Sequence, residues 1–156
     1  MKKIAVFPGS FDPFTKGHEN VVQKALNLFD KIIISIGVNS TKSSYYSLES
    51  RKQHILSLFE NNPKISVQSY QTLTTEFCKE NKANYILRGL RDVKDFEYER
   101  SISHMNHVLS PEIETVFLIT APEYIHLNSS IIREVGKNGG VIDNFVTNAK
   151  ILVLTM

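Results

Sequence analysis

The residues near the start of the chain are Ile4-Ala5-Val6-Phe7-Pro8-Gly9-Ser10-Phe11-Asp12-Pro13, and Gly17-His18 follows four residues later. The apolar run is typical of a buried strand, the next residues are typical of a turn, and Gly17-His18 lies at the predicted start of a helix. Such a turn suits an anion, because glycine lets backbone approach closely and a helix N-terminus offers unpaired N–H groups and partial positive charge. Taken alone, Gly9–Pro13 is explained equally well as a turn without a ligand. Its position at the carboxyl end of a first strand, beside His18, favours a phosphate site and a nucleotide ligand.

Beyond this segment, short apolar runs alternate with segments of helical periodicity. The five predicted strands are Ile4–Phe7, Ile32–Val38, Ile65–Tyr70, Tyr85–Leu87 and Thr115–Ile119. Amphipathic helices are predicted over Val22–Phe29 and Tyr98–Leu109, and further helices over Leu48–Glu60, Thr75–Asn81, Ser130–Lys137 and Val146–Leu154. Strands separated by helices predict right-handed crossovers and a parallel sheet covered on both faces. The predicted fold class is α/β, a Rossmann-like, doubly wound, five-stranded parallel sheet with C-terminal helices.

Length and composition predict one domain over residues 1–156, with 42% hydrophobic residues to build its core. Lys and Arg total 18 against 16 Asp and Glu, and a net charge of +2 gives no broad basic face for general nucleic-acid binding. Cys78 is the only cysteine, which excludes an intramolecular disulfide and a cysteine-based metal cluster. No apolar stretch has the length of a signal peptide or a membrane span, so we expect a cytoplasmic protein.

Cationic residues follow two of the predicted strands, and neither a GxxxxGK[ST] P-loop nor a GxGxxG motif follows the first. Lys42 lies in the polar segment Asn39–Ser47, a predicted mobile loop after the second strand, and Arg88-Gly89-Leu90-Arg91 follows the fourth. Guanidinium groups make forked hydrogen bonds to phosphate, and Gly89 lets backbone lie against a bound group. A surface ion-pair network with neighbouring carboxylates is the alternative for the arginines. Convergence of both cationic segments with His18 at one sheet edge favours the phosphate site.

The motif Asn128-Ser129-Ser130 precedes a helical pattern and has the residue types of a helix N-cap. Capping alone explains it, but a helix start after the fifth strand would also offer N–H groups to an anion at the same sheet edge. No catalytic nucleophile is predicted, because Cys78 has no paired base and no Ser-His-Asp spacing is present. No protein-bound metal is predicted, and Mg²⁺ would arrive on the phosphates of a nucleotide.

Taken together, the motifs resemble those of a known family. They are Gly9-Ser10-Phe11-Asp12-Pro13, Thr15-Lys16-Gly17-His18 as a form of the HxGH element, Arg88-Gly89-Leu90-Arg91, Asp95-Phe96-Glu97-Tyr98-Glu99 and Asn128-Ser129-Ser130. On these residues the chain resembles, nearly end to end, the bacterial phosphopantetheine adenylyltransferases of the HxGH nucleotidyltransferase superfamily. The resemblance implies transfer of AMP from ATP to 4′-phosphopantetheine by direct in-line attack, giving dephospho-coenzyme A and pyrophosphate. It also implies Mg²⁺ with ATP, coenzyme A as a feedback inhibitor, and a homohexamer.

The resemblance also implies roles for individual residues. His18 would be the catalytic residue, stabilising charge on the transferred phosphate. The phosphopantetheine-binding residues would be Ser10, Lys42, Thr74 and Arg88, with Asn106 in the same channel. The ATP-binding residues would be Ser10, Phe11, His18, Gly89, Leu90, Arg91, Glu99, Tyr124, Ile125, His126, Leu127, Asn128, Ser129 and Ser130. Thr74 stands where the family often has methionine or leucine, a departure that concerns the pantetheine channel rather than the reaction.

Two alternatives stay open from the sequence. The first motif belongs to the whole superfamily, so one alternative is another HxGH nucleotidyltransferase, acting on nicotinamide mononucleotide or making a CDP-alcohol. The segment from Arg88 to Glu99 argues against it. The other alternative is a nucleotide-binding module without turnover, which would use the same residues. Formation of pyrophosphate separates the enzyme from such a module.

Overall fold

Strands and helices alternate along the chain in the computed structural model, which describes residues 1–156. The strands are β1 (Ile4–Gly9), β2 (Lys31–Gly37), β3 (Ile65–Tyr70), β4 (Tyr85–Leu90) and β5 (Glu114–Ile119). The helices are α1 (Lys16–Ala25), α2 (Leu48–Leu58), α3 (Thr74–Glu80), α4 (Val93–Leu109) and α5 (Ser129–Lys137), and short 3₁₀ turns lie at Pro122–Tyr124 and Ala149–Ile151. The predicted alternation and all five predicted strands are confirmed, and β3 has the predicted bounds.

All neighbouring strands pair in parallel, in the order β3-β2-β1-β4-β5. The chain builds one half of the sheet outward from β1 and then crosses to the other side of β1 to place β4. The strands β1 and β4 pair only at Ala5–Tyr85 and Val6–Ile86, whereas β1 pairs with β2 along its whole length. The carboxyl ends of β1 and β4 therefore separate, and they open a crevice at the position where open α/β sheets bind ligands.

Apolar side chains cover both faces of the sheet. Ile32 and Ile34 of β2 belong to the larger buried cluster, together with Phe14, while Ile33 belongs to a second buried cluster with Phe77 of α3. Since successive residues of a strand point to opposite faces, the two clusters lie on opposite sides of the sheet. This explains why β2 carries apolar side chains on both faces, and it confirms the predicted doubly wound sheet.

The prediction of a last helix over Val146–Leu154 is wrong. Only the 3₁₀ turn is helical in this segment, and Leu154 forms an antiparallel bridge with Tyr46. The backbone N–H of Ser47 also donates to the carbonyl of Val153 at 2.8 Å. These pairings require an extended chain, so contacts with a distant segment override the local helical pattern.

The two predicted amphipathic segments differ in detail from the structure. The helix α1 ends at Ala25, so Phe29 reaches the core from the turn that follows. The helix α4 covers the predicted segment but begins five residues earlier, at Val93. Its apolar positions face outward, since Tyr98 is 69% exposed and Met105 is 65% exposed. Although α4 is the longest helix, neither it nor any other helix is long and apolar enough to cross a membrane.

Candidate active site

Two cavities adjoin in the crevice between β1 and β4. The first has a volume of about 310 Å³ and lies towards α1 and α5, and the second has a volume of about 550 Å³ and lies towards β3, α3 and α4. The residues that line both cavities are Pro8, Gly9, Ser10, Arg88 and Glu99. A group bound between Ser10 and Arg88 would therefore contact the contents of both cavities.

The turn after β1 brings Ser10 into both cavities. Phe11 has a φ of 45°, in the left-handed region that residues other than glycine rarely adopt. Its ring packs so close to Gly9 that a Cβ on Gly9 would lie 2.8 Å from ring carbons, so this close approach requires glycine. Phe11 is buried while Ser10 is exposed. The turn thus presents the Ser10 hydroxyl and the adjacent backbone to a ligand.

A capping box holds His18 at the N-terminus of α1. Thr15 is the N-cap, and its hydroxyl accepts the backbone N–H of His18. In return, Nδ1 of His18 accepts the backbone N–H of Thr15 at 2.9 Å. A ring nitrogen that accepts a hydrogen bond carries no proton, so the proton of the neutral imidazole is on Nε2. The Nε2–H group is the donor that His18 offers to a ligand in the first cavity.

The imidazole of His18 is neutral at physiological pH. Burial, together with the positive charges of Arg88 and Arg91, lowers the pKa of His18 to about 3. The rings of Phe11 and Phe14 pack against it, each with a centroid separation of 5.1 Å, and they supply the apolar surroundings. His18 is therefore a neutral hydrogen-bond donor rather than a cation.

Arg88 lies between the cavities and belongs to the end of β4 rather than to the loop after it. Its Nε donates to Oε2 of Glu99 at 2.8 Å, its Nη2 donates to Oε1 of Glu99, and its Nη1 donates to the carbonyl of Pro8. A guanidinium has five N–H donors, so two remain for a ligand. The predicted alternative of an ion pair is confirmed for Arg88 with Glu99, and this pair lines both cavities. Ion pairing here fixes the guanidinium in place without using all its donors.

Arg91 joins the end of β4 to the segment before α5. Its Nε and Nη2 donate to the carboxylate of Asp95 at 2.9 and 3.1 Å, and its Nη1 donates to the carbonyl of Leu127 at 2.9 Å. The hydrogen bond between the two side chains lowers the pKa of Asp95 and raises the pKa of Arg91. Both groups are therefore charged, and together they form one wall of the first cavity.

The N-terminus of α5 forms another wall of the first cavity. The side chain of Asn128 accepts the N–H groups of Ser130 and Ile131 at 2.8 and 3.2 Å, which confirms its predicted capping role and uses two of the N–H groups expected to be free. Oγ of Ser129 donates to the carbonyl of Pro13 at 2.9 Å and ties α5 to the turn after β1. The positive ends of α1 and α5 thus both border this cavity.

The second cavity contains the polar residues predicted for a substrate channel. Thr74 at the start of α3 and Asn106 of α4 line it, and Tyr98 and Ile102 add apolar surface. The hydroxyl of Thr74 forms a hydrogen bond of 2.9 Å with Oη of Tyr70. The cavity wall at Thr74 is therefore formed by two hydrogen-bonded hydroxyl groups rather than by an aliphatic side chain.

Four predicted site residues line neither cavity: Lys42, Leu90, Ile125 and His126. Leu90 is buried, and the other three are exposed. The predicted mobile loop that carries Lys42 is fixed at its end, because the backbone N–H groups of Tyr45 and Tyr46 donate to the carboxylate of Asp12. The remaining predicted residues lie together in the two cavities.

Sequence reasoning missed several residues of this region. Tyr70 and Thr120 line the second and first cavities, at the carboxyl ends of β3 and β5. The rule that parallel sheets bind ligands at this edge could have found both. Sequence reasoning also missed the buried Arg51 of α2, which no local signal separates from the charged residues of a helix surface.

Known proteins of related sequence cover nearly the whole chain. The model of the cytidylyltransferase-like family matches residues 6–135. A phosphopantetheine adenylyltransferase from Cytophaga hutchinsonii is 48% identical over 146 residues, which are 94% of this chain and 97% of that protein. Proteins of the same name from Flavobacterium johnsoniae and Bacteroides thetaiotaomicron are 49% and 46% identical, over 93% and 91% of this chain and 95% and 93% of their own lengths.

Solved structures share the fold at lower sequence identity. Two structures of a bifunctional NMN adenylyltransferase/ADP ribose pyrophosphatase from Francisella tularensis, one of them complexed with AMP and Mn ion, have TM-scores of 0.69 and 0.73 and identities of 23% and 21%. The likeness covers 97% of this chain, which spans about half the length of those proteins, 46% and 47%. At this level of identity the likeness shows the fold alone.

Proposed function

The chain belongs to the phosphopantetheine adenylyltransferases, within the cytidylyltransferase-like family, and on that premise we propose that the two adjoining cavities are its active site. The enzyme transfers AMP from ATP to 4′-phosphopantetheine, giving dephospho-coenzyme A and pyrophosphate. The observation that carries the assignment of the site is that Ser10 and Arg88 line both cavities. A phosphate held between them would meet ligands on both sides, as transfer between two substrates requires.

The first cavity is assigned to ATP. Its walls carry His18, Arg91 and the N-termini of α1 and α5, each of which favours a negative group. The second cavity is assigned to phosphopantetheine, because it is larger and combines polar groups with the apolar surface of Tyr98 and Ile102, which suits a chain of amides and methylene groups. Lys42 is assigned to phosphopantetheine as well, by a movement of its segment towards the crevice.

Direct displacement accounts for the reaction without a protein nucleophile. An oxygen of the 4′-phosphate attacks the α-phosphorus of ATP, a new P–O bond forms, and the bond from the α-phosphorus to the bridging oxygen breaks, so that pyrophosphate leaves with the electron pair. Catalysis then depends on positioning and on stabilising charge. Cys78 takes no part, because it lines neither cavity and burial raises the pKa of its thiol to about 12.

Three side chains and one helix N-terminus supply the stabilisation in this assignment. The Nε2–H of His18 donates to an oxygen of the transferred phosphoryl group. Arg88 holds the attacking phosphate beside Ser10 with its two remaining N–H groups. Arg91 and the N-terminus of α5 bind the pyrophosphate that leaves.

Mg²⁺ is proposed to arrive with ATP. The chain has no group of three or more His, Cys, Asp or Glu side chains that could hold a metal ion. The carboxylates of the cavity walls, Glu99 and Asp95, are paired with arginines. These residues fit an ion bound through substrate phosphates and water, which is the coordination that Mg²⁺ favours, and there it would neutralise phosphate charge.

We also propose that the chain forms a homohexamer, is inhibited by coenzyme A and lies in the cytoplasm. The outward apolar face of α4, which includes Tyr98 and Met105, supports association of several copies, proposed as a homohexamer. Coenzyme A contains both halves of the product, so it would fit both cavities as a feedback inhibitor. The single cysteine, buried and unpaired, supports a cytoplasmic location.

Release of pyrophosphate tests the proposed function. The purified chain is mixed with Mg-ATP and either 4′-phosphopantetheine, nicotinamide mononucleotide or no acceptor, and we expect release only with phosphopantetheine. Release only with nicotinamide mononucleotide would overturn the acceptor and keep nucleotidyl transfer. Binding of ATP without release from either acceptor would favour a binding module.

A further inference from the structure

A buried pair of opposite charges lies outside both cavities, and the mechanism above does not use it. Asp12 is 6% exposed, and Arg51 of α2 is 4% exposed. The two side chains bind the two backbone polar groups of one residue, Tyr46. The carboxylate of Asp12 accepts the backbone N–H of Tyr46 at 2.9 Å, and Nε of Arg51 donates to the carbonyl of Tyr46 at 3.0 Å. Buried charges are stable only when such partners satisfy them, so the arrangement is a rigid one.

The same pair reaches the turn that lines both cavities. Nη1 of Arg51 donates to the carbonyl of Ser10 at 2.6 Å, and Nη1 of Arg133 donates to the carbonyl of Asp12 at 2.6 Å. The two arginines therefore hold the carbonyls on either side of Phe11, whose left-handed backbone is unfavourable for a residue other than glycine. Such a conformation persists only where the surroundings hold it in place.

We propose that Arg51 and Asp12 are positioning residues for the transfer reaction, which hold the turn at Ser10 at the boundary between the two substrates. The inference rests on the proposed function, because it takes this turn to contact the transferred phosphate. Neither residue lines a cavity, so both act through Ser10. A displaced turn would misplace the reacting groups without removing any group that binds substrate, so turnover would fall more than affinity.

A purely structural role would have a different signature. Removing either side chain leaves backbone groups of Tyr46 without their hydrogen-bond partners, so variants at either position will also lose stability. Lost stability lowers the folded fraction, but it does not by itself lower kcat per folded molecule. Ile113→Ala is the matched control, because Ile113 is 2% exposed and belongs to the buried cluster on the face opposite to Phe11.

The test compares Arg51→Lys and Arg51→Gln with the wild type and Ile113→Ala, by steady-state pyrophosphate release normalised to folded protein. Lysine keeps the charge near Asp12, but its single nitrogen cannot reproduce the fork to the carbonyls of Tyr46 and Ser10. We expect both Arg51 variants to lower kcat by about 10- to 100-fold, with the KM for each substrate within about threefold of wild type. When it is assayed below its melting temperature, Ile113→Ala should keep kcat within about twofold of the wild type.

The double variant Asp12→Asn/Arg51→Gln keeps the test decisive if Arg51→Gln does not fold, because it removes both buried charges together. Because both residues act through the same turn, we expect the double variant to lower kcat by about as much as Arg51→Lys does. Folded variants with kcat within twofold of wild type, or with a raised KM alone, would overturn the inference. A wild type that releases no pyrophosphate with phosphopantetheine would instead overturn the proposed function, so the two failures are distinguishable.

Discussion

Nδ1 of His18 lies 2.9 Å from the backbone nitrogen of Thr15, and this hydrogen bond leaves Nε2 as the only donor of the ring to the first cavity. Removing one donor that stabilises charge in a transition state lowers kcat about 10²–10³-fold. We expect His18→Ala to fold and to show a loss of this size in pyrophosphate release. His107→Ala, exposed on α4 and outside both cavities, is the control. Wild-type kcat in folded His18→Ala would remove His18 from the mechanism.

The lowered pKa of His18 also predicts how stability depends on pH. The ring titrates near pH 3 in the folded chain and near its ordinary value of 6.5 in the unfolded chain, so between these values the unfolded chain binds more protons. The contribution of His18 to the free energy of unfolding is therefore complete above pH 6.5 and is lost as the pH falls towards 3. When the pH is lowered from 7 to 5, the free energy of unfolding should fall in both proteins. We expect this fall to be about 2 kcal/mol smaller in His18→Gln than in the wild type.

Urea unfolding at pH 7 and pH 5 measures this difference. Burial also lowers the pKa of His54, but that residue is present in both proteins and cancels in the comparison. Equal losses in the wild type and His18→Gln would contradict the lowered pKa of a neutral imidazole at position 18.

The fork between Arg88 and Glu99 predicts that lysine cannot replace Arg88. Lysine keeps the positive charge, but it cannot hold Glu99, the carbonyl of Pro8 and a phosphate at the same time. Loss of one charge-assisted hydrogen bond costs about 1.5–3 kcal/mol, so we expect Arg88→Lys to lower kcat/KM for phosphopantetheine by roughly 10- to 150-fold. Arg100→Lys, exposed on α4, is the matched control. An unchanged kcat/KM would show that the charge alone is sufficient.

Lys42 provides a test of movement in the segment after β2. It is exposed and lines neither cavity, so it contacts phosphopantetheine only if this segment moves towards the crevice. We expect Lys42→Ala to raise the Kd for phosphopantetheine by at least about tenfold, the lower bound for loss of one hydrogen bond to a charged group, and to leave the Kd for ATP unchanged. Isothermal titration calorimetry measures both constants, with the exposed Lys150→Ala as control. A Kd equal to that of the wild type would place Lys42 outside the site.

The sheet and its binding edge could be predicted because they follow from local patterns. Apolar runs such as Ile32–Val38 mark strands, and parallel strands place their carboxyl ends at one edge, so His18 and Arg88 could be expected together. The failed C-terminal helix and the missed Arg51 have one physical cause. Contacts such as that of Asp12 with Tyr46 join distant segments through the packing of loops, which periodicity does not encode.

Gly89 of β4 lies against Val21 of α1, and a Cβ at position 89 would be 2.7 Å from a methyl carbon of Val21. Valine is stiff at χ1, so the clash is relieved only by a shift of α1, the helix that carries His18. We expect Gly89→Ala to lose about 1–3 kcal/mol of stability and to lower kcat. Val21→Ala makes room for the added methyl, so the double variant should recover most of both losses, with a coupling of about 0.5–3 kcal/mol.

Urea unfolding and pyrophosphate release of the four proteins complete this cycle. Recovery in the double variant would mean that Gly89 acts through the distance between α1 and β4, which sets the position of His18 relative to Arg88. Additive losses would contradict this role. In a third outcome, the double variant recovers stability but its kcat stays low. That result would mean that the backbone of Gly89 contacts the nucleotide itself, because the added methyl would then obstruct the ligand rather than the helix.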